Sequence, residues 1–364
     1  MISLRLSLCL ALSLLSPSVH STPLDLSARD APSISVTILP LGNALFLARV
    51  INTSPIDLNL FTYGSLLDSA PVEKLSVYTV PTSSEPATKA PFTGILRSIR
   101  RTNLTASAFL PLAAGATFET TIDAASVHDL STATYSFVSQ GAIPYAPAGS
   151  TILSGSAIPF TSNTLTLAVD GAAAALVPRA VPLEPRAKVQ SDCTGSQLSA
   201  TTTALANCAR FAKAAASAAL TGSSARFQEY FKTTDSSTRA TVSARLSAIA
   251  AECASANSGA VAYYCTDSRG YCKPDVVAYT LPVSNIVVNC PQYYAELPDV
   301  ATVCHAQDRG TTTLHEMSHA SGVYSPRTED SGYGYAAAVA LTAELALVNA
   351  DSYAYFANAV ALNC

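Results

Sequence analysis

The chain has 364 residues, 49% of them hydrophobic and 13% charged, and carries a net charge of −4. A length of that order accommodates two domains. The mildly acidic balance and the lack of a basic stripe exclude a nucleic-acid-binding surface. Residues 1–21 read as a secretory signal: Arg5 supplies positive charge, Leu8 to Leu15 form a short apolar run, and Val19-His20-Ser21 offers small residues for cleavage. That run is too short to span a bilayer, and no later stretch is long and apolar enough to do so. The expectation is a secreted, extracellular protein acting as a monomer, with no membrane or nucleic-acid partner.

From Ser33 to about Asp170 the pattern is one of short alternating runs: Ile34, Val36 and Ile38, then Pro40-Leu41-Gly42-Asn43, then Leu45, Leu47 and Val50. Lys74 to Val80 and Thr134 to Val138 look similar. Short strands punctuated by Pro, Gly and Asn predict an antiparallel β-sandwich. Glycosylation sequons at Asn52 and Asn103 fall in this half. Cys9 lies in the signal, and the other eight cysteines run from Cys193 to Cys364. An even number confined to one half of a secreted chain predicts up to four disulfides. Between the two textures, residues 171–191 (GAAAALVPRAVPLEPRAKVQS) have no periodic apolar pattern and read as a linker. Pro178-Arg179 and Pro185-Arg186 within it are candidate processing sites.

Beyond the linker the periodicity turns helical. Ser196–Leu220, Ala225–Lys232 and Ser237–Ala254 are predicted helices, the last with Val242, Leu246 and Ile249 on one stripe. Val261–Asn289 is rich in Tyr and Val, with breaks at Gly270 and Pro274, and predicts a small sheet or hairpins. A helix over Ala306–Ala320, ended by Gly322, carries His315-Glu316-Met317-Ser318-His319. Helices over about Gly334–Val348 and Ala350–Leu362 close the chain.

On a helix, residues four apart share a face, so both imidazoles of this HExxH reach one cation. Glu316 is then placed to take a proton from water at the site. A hydrolytic zinc site needs three protein ligands and an open position. After Gln190 the histidines are His305, His315 and His319, so a third His ligand means His305, ten residues upstream. The spacing HExxHxxGxxH would put one at 325, which is Ser325. Among carboxylates, Glu329, Asp330, Glu344 and Asp351 lie downstream. Glu344 on a following helix would make a thermolysin-like set. Asp330 is close enough in sequence to fold back over the site. The residue pattern alone leaves both open.

The run Thr311 to His319, followed by Tyr324-Ser325-Pro326-Arg327-Thr328-Glu329-Asp330-Ser331-Gly332-Tyr333-Gly334-Tyr335, resembles the deuterolysin family of fungal zinc endopeptidases, the aspzincins. Their signature pairs HExxH with a downstream GTxDxxYG. Phe231–Asp235, Cys304–Asp308 and Asn349–Tyr353 also resemble stretches of the family. The likeness covers about 188–364 and, more loosely, a signal-plus-prosegment layout. It implies an α+β fold: a mostly helical, zincin-like catalytic domain with a small β-sheet over 187–364, preceded by a β-rich, sandwich-like prodomain over 22–186. It implies one Zn2+ per chain on His315, His319 and Asp330, with Glu316 as catalytic base and Tyr333 as a donor to the oxyanion. Asp351 would orient a ligand histidine or be the third ligand itself. Tyr293 matches a tyrosine important for activity, or packs in the core. Bridges like the family's would be Cys193–Cys265, Cys272–Cys290 and Cys304–Cys364, and Cys208 and Cys253 would then pair with each other.

The implied activity is secreted endopeptidase action on proteins, basic ones favoured, from an inactive preproenzyme whose first half assists folding and shields the cleft. One departure matters: Arg327 stands where the motif has a Gly, which would permit positive φ. It predicts an altered loop and a cation near the cleft mouth. His128, the prosegment's histidine, is expected at the surface beside turn residues. Two other readings are a gluzincin-like peptidase using Glu344, and a catalytically dead secreted protein keeping a structural zinc. The second has no use for Glu316.

Overall fold

The computed structural model describes residues 32–81, 86–181, 190–255, 258–267 and 269–364. The signal and Pro185-Arg186 lie outside them. Alternation works as expected in β1 (Ile34–Pro40), which buries Val36 and Ile38. In β2 (Leu45–Asn52) the buried face is Phe46, Ala48 and Val50, and Leu45 and Leu47 are half-buried. The predicted grouping of Leu45 and Leu47 with Val50 fails because residues an odd number apart face opposite sides of a strand.

The N-terminal half continues through β3 (Leu58–Phe61), β4 (Ser76–Thr79), β5 (Leu96–Ile99), β6 (Phe109–Leu112), β7 (Thr117–Asp123), β8 (Ala133–Val138), β9 (Gln140–Pro147), β10 (Ala157–Thr161) and β11 (Leu165–Val169). Ten of these eleven strands make three antiparallel sheets, in the orders β1-β2-β7, β10-β9-β3-β6 and β11-β8-β4. Ile38, Phe46, Val50, Leu60, Val77, Phe137 and Ile143 share one core. Of the two sequons, Asn103 is exposed, whereas the buried Asn52 amide donates to the carbonyls of Ile56 and Leu112. The predicted linker is not irregular throughout. Gly171–Ala175 forms helix α1, because Asp170 accepts from the amides of Ala172 and Ala173 and caps it.

In the C-terminal half, α2 (Gly195–Thr221), α3 (Ser224–Phe231) and α4 (Ser236–Cys253) match the predicted helices to within a residue or two. Cys208, Phe211, Ala212 and Ala215 of α2 pack with Val242, Leu246 and Ile249 of α4. The small side chains of the Ala-rich helix let the two lie close, and Cys208–Cys253 bridges them. The other bridges are Cys193–Cys265, Cys272–Cys290 and Cys304–Cys364, as the resemblance implied.

The strands here are β12 (Ala262–Tyr264), β13 (Val276–Leu281) and β14 (Ile286–Asn289), followed by α5 (Pro291–Glu296) and α6 (Arg309–His319). One predicted helix over Gly334–Val348 is two, α7 (Gly334–Ala338) and α8 (Ala343–Leu347), before α9 (Ala350–Leu362). The break falls where the Thr342 hydroxyl accepts from the Leu345 amide and caps a new helix. The architecture is thus mixed α/β.

One strand crosses between the halves. The C-terminal sheet has the order β12-β14-β13-β5, with β12 parallel to β14 and β5 antiparallel to β13. One of its two edge strands, β5, therefore comes from the N-terminal half. Phe61, Ile95, Ile99 and Phe109 share a core with Val276, Tyr279, Val288 and Tyr333.

Candidate metal centre

Helix α6 begins three residues later than predicted. Asp308 is its N-cap, accepting from the Thr311 amide at 2.6 Å and hydroxyl at 2.9 Å, and also from the Ala301 amide at 2.8 Å. Every residue from Gly310 to His319 is buried. The helix stops at His319, and the chain returns so that the Thr328 amide donates to the Ser318 carbonyl at 3.0 Å. Glu329 then pairs with the Val348–Ala350 backbone, its amide on Val348 O at 2.6 Å and its carbonyl on Ala350 N at 2.9 Å. Asn349 Oδ1 accepts from Ser331 N at 3.0 Å and Gly332 N at 3.1 Å. Those contacts pin the loop on both sides of Asp330.

His315 Nε2 and His319 Nε2 lie 3.1 Å apart, and Asp330 Oδ1 is 3.2 and 3.3 Å from them. Among the described residues this is the cluster of three such side chains able to hold a metal ion. Ligand atoms on a tetrahedral zinc with bonds of about 2.0–2.1 Å lie roughly 3.3 Å apart, so the triangle fits. The outer ring nitrogens are held too. Asp351 Oδ1 is 2.8 Å from His315 Nδ1, and His319 Nδ1 donates to the Thr328 carbonyl at 3.2 Å. Glu316 Oε2 accepts from the Thr280 hydroxyl at 2.6 Å, while its buried Oε1 has no protein partner. An orphaned carboxylate oxygen beside the triangle is what a proton acceptor for water requires.

The electrostatics belong to a cation site. Burial alone would lower the His315 pKa, but Asp330 and Asp351 push it up to about 10. Burial pushes Glu316 up to about 8, against His315 and the Thr280 hydrogen bond. For Asp330, burial acts upward, yet the two imidazoles hold it far below the usual carboxylate range.

Asp351 sits on the far nitrogen of His315, outside the triangle. Its other oxygen accepts from the Gly334 amide at 2.6 Å and pairs with Arg101. The buried Tyr333 ring lies by Asp330, and burial followed by that charge raises its phenol well above 10. Tyr293 is buried apart from the triangle, its hydroxyl 2.9 Å from the Thr313 hydroxyl on α6. Glu344 is exposed on α8, and His305 bonds the Tyr230 hydroxyl at 2.8 Å and stacks on Tyr335.

One expectation is corrected. His128 is not at the surface: it is 2% exposed and packs on Phe92, with no hydrogen bond of normal geometry at either ring nitrogen. Only Asp129 beside it is exposed, and the bridge from Phe92 to His128 holds this stretch against the segment that carries Phe92. Arg327 does not take a positive φ. It donates to Thr328 O at 2.9 Å, meets Glu73 at 3.2 Å and lies over the Phe92 ring, so it faces the N-terminal half. Sequence reasoning also missed Arg97, Ser98 and Arg101 from β5 and its end, and the Thr280 contact to Glu316. The motif's threonine, Thr328, was the readable signal for a histidine partner. Nothing local marks the others, which arrive from 36 to 250 residues away.

The profile of the deuterolysin metalloprotease family matches residues 5–364. A neutral protease 2 homolog of Botryotinia fuckeliana is 54% identical over 338 residues, 92% of this chain and 94% of that protein. Neutral protease 2 of Aspergillus oryzae is 44% identical over 336 residues, 92% of this chain and 93% of its own. Among solved structures, a zinc peptidase from Grifola frondosa aligns at 25% identity and a TM-score of 0.38, covering 46% of this chain and 97% of that one.

Proposed function

The chain belongs to the deuterolysin metalloprotease family, and we propose that it is a secreted zinc endopeptidase of the HExxH-plus-Asp type, made as an inactive preproenzyme. The observation that carries this reading is the triangle of His315 Nε2, His319 Nε2 and Asp330 Oδ1 beside a free oxygen of Glu316. Residues 1–21 are the signal, 22–186 the propeptide and 187–364 the enzyme, which holds one Zn2+ and works extracellularly as a monomer. Its substrates are proteins and peptides. Basic proteins are favoured, a preference that the family resemblance and the net charge of −4 support.

Zinc held by His315, His319 and Asp330 would supply a Lewis acid at the site and would acidify water there. Glu316, steadied by Thr280, accepts the proton on its free oxygen and passes it to the leaving amine. Tyr333 donates to the carbonyl oxygen as negative charge builds there. Asp351 and the Thr328 carbonyl accept from the Nδ1 atoms of His315 and His319, which keeps both Nε2 lone pairs turned to the cation. Tyr293 seats α6 through Thr313.

Glu316→Gln should retain zinc and lose almost all casein hydrolysis; turnover near that of the parent protein refutes the assignment. Asp330→Ala should lose zinc and Glu344→Ala keep it, as counted by metal analysis. The opposite pair of results would install the gluzincin-like reading, which the exposure of Glu344 disfavours. A processed protein that holds zinc yet hydrolyses no casein would favour the dead binding protein.

A further inference from the structure

Strand β5 ties the N-terminal half into the metal centre. It pairs Leu96 with Thr280, Arg97 with Tyr279, Ser98 with Ala278 and Ile99 with Val276 on the open edge of β13. The Arg97 amide donates to Asp330 Oδ2 at 3.1 Å. Arg97 is 1% exposed and bonds Asp68 of its own half, which fixes the strand's direction. Past the strand, Arg101 pairs with Asp351 and donates to the Tyr355 hydroxyl at 3.2 Å. Arg100 pairs with Asp275 at 2.8 Å and Glu296 at 2.8 Å. On the other flank, Gly64 comes so close to Tyr333 that a Cβ there would lie 1.9 Å from the ring. The Ala142 amide donates to the Ser331 carbonyl at 2.9 Å, beside Asp330.

None of these contacts uses residues 182–189. We propose that Leu96–Arg101 is a built-in inhibitory strand, and that the N-terminal half stays bound in the cleft after the chain is cut between Val181 and Gln190. The inference rests on the zymogen reading above. Strand addition to an open edge supplies main-chain hydrogen bonds that a cut elsewhere leaves untouched. The apolar core that joins the halves and the buried ion pairs act in the same direction. The strand also escapes cleavage for a stated reason. A substrate must turn a carbonyl oxygen to the metal, whereas this strand turns the Arg97 amide to the Asp330 carboxylate. Release of activity then needs a second event that removes β5, beyond the cut itself.

The test uses the full-length protein with one site-specific protease sequence placed between Val181 and Gln190. The cut protein is run on size exclusion at neutral pH while casein hydrolysis is followed. Both pieces should co-elute, and hydrolysis should stay at the uncut level. Arg101→Ala, which breaks a buried pair, should weaken retention by roughly a hundredfold, with hydrolysis rising as the pieces part. Gly64→Val should act the same way through the clash with Tyr333. Separation on cutting alone, full hydrolysis from a co-eluting complex, or unchanged retention in both variants each overturns the proposal. Retention is read without activity. A C-terminal piece that separates in the variants yet shows no chelator-sensitive hydrolysis therefore counts against the protease reading and the inhibitory role, and leaves the retention of the N-terminal half standing.

Discussion

At the residue scale the metal centre is a set of atoms whose second contacts are as well defined as their first. His315 is gripped from both sides, with Asp330 at Nε2 and Asp351 at Nδ1. Asp351→Ala should therefore lower zinc affinity by about 10–100-fold with the three ligand side chains unchanged. Competition with a coloured chelator reads this directly, and an unaltered affinity would remove Asp351 from the orienting role. Its partner Arg101 comes from the other half, so the variant protein should also release that half more readily. Asp330 was legible as a candidate from its place after HExxH. What brings its carboxylate to the histidines is Asn349, which bonds the backbone of Ser331 and Gly332, and no spacing rule contains that contact.

At the element scale the helices were readable and their ends less so. The stripe Val242, Leu246 and Ile249 is fully buried in α4, because 3.6-residue periodicity leaves little choice for an amphipathic segment. The start of α6 was misjudged by three residues, since the Asp308 carboxylate gathers its donors from Thr311 within the turn and Ala301 outside it. Asp308→Ala should cost about 1 kcal/mol or somewhat more and lower the melting temperature, with part of the loss falling on zinc occupancy because the capped helix carries both ligands. The bridge between α2 and α4 closes a loop of 45 residues. Replacing Cys208 and Cys253 together by Ala should lower stability by about 2–4 kcal/mol in denaturant titrations while leaving activity at ambient temperature.

At the scale of the whole molecule, the junction between the halves contains a titratable group. His128 faces Glu73 and Lys89 of its own half and Arg327 of the other, with Lys89 reaching on to Glu329. Burial, outweighing the attraction of Glu73, pushes its pKa down from 6.5 to about 4. A histidine with a depressed pKa in the docked state stabilises docking fully above 6.5, and that contribution fades as pH falls from 6.5 toward 4. The full-length protein should accordingly loosen, by hydrogen exchange of β5 or by sedimentation, as the medium is acidified across that interval. His128→Leu should flatten the dependence there. A profile identical in the two proteins would exclude His128 as its origin. The Arg327 side chain, unusual for its place in the motif, has its partner in Glu73, so its consequence lies at this junction as well as in the loop.

The amino-acid sequence by itself determined the paired textures of the chain, the helix bearing His315, Glu316 and His319, and the short set of carboxylates that could complete it. These follow from local periodicity and from the spacing of rare side chains, which act over a few residues. Only the tertiary structure decided that Asp330 and not Glu344 lies against the histidines, that His128 is buried, and that Leu96–Ile99 leaves its own half to finish the sheet beside Glu316. Each of those outcomes depends on groups far apart in the chain meeting in one buried volume, where hydrogen bonds and charges are matched by packing that no local pattern encodes.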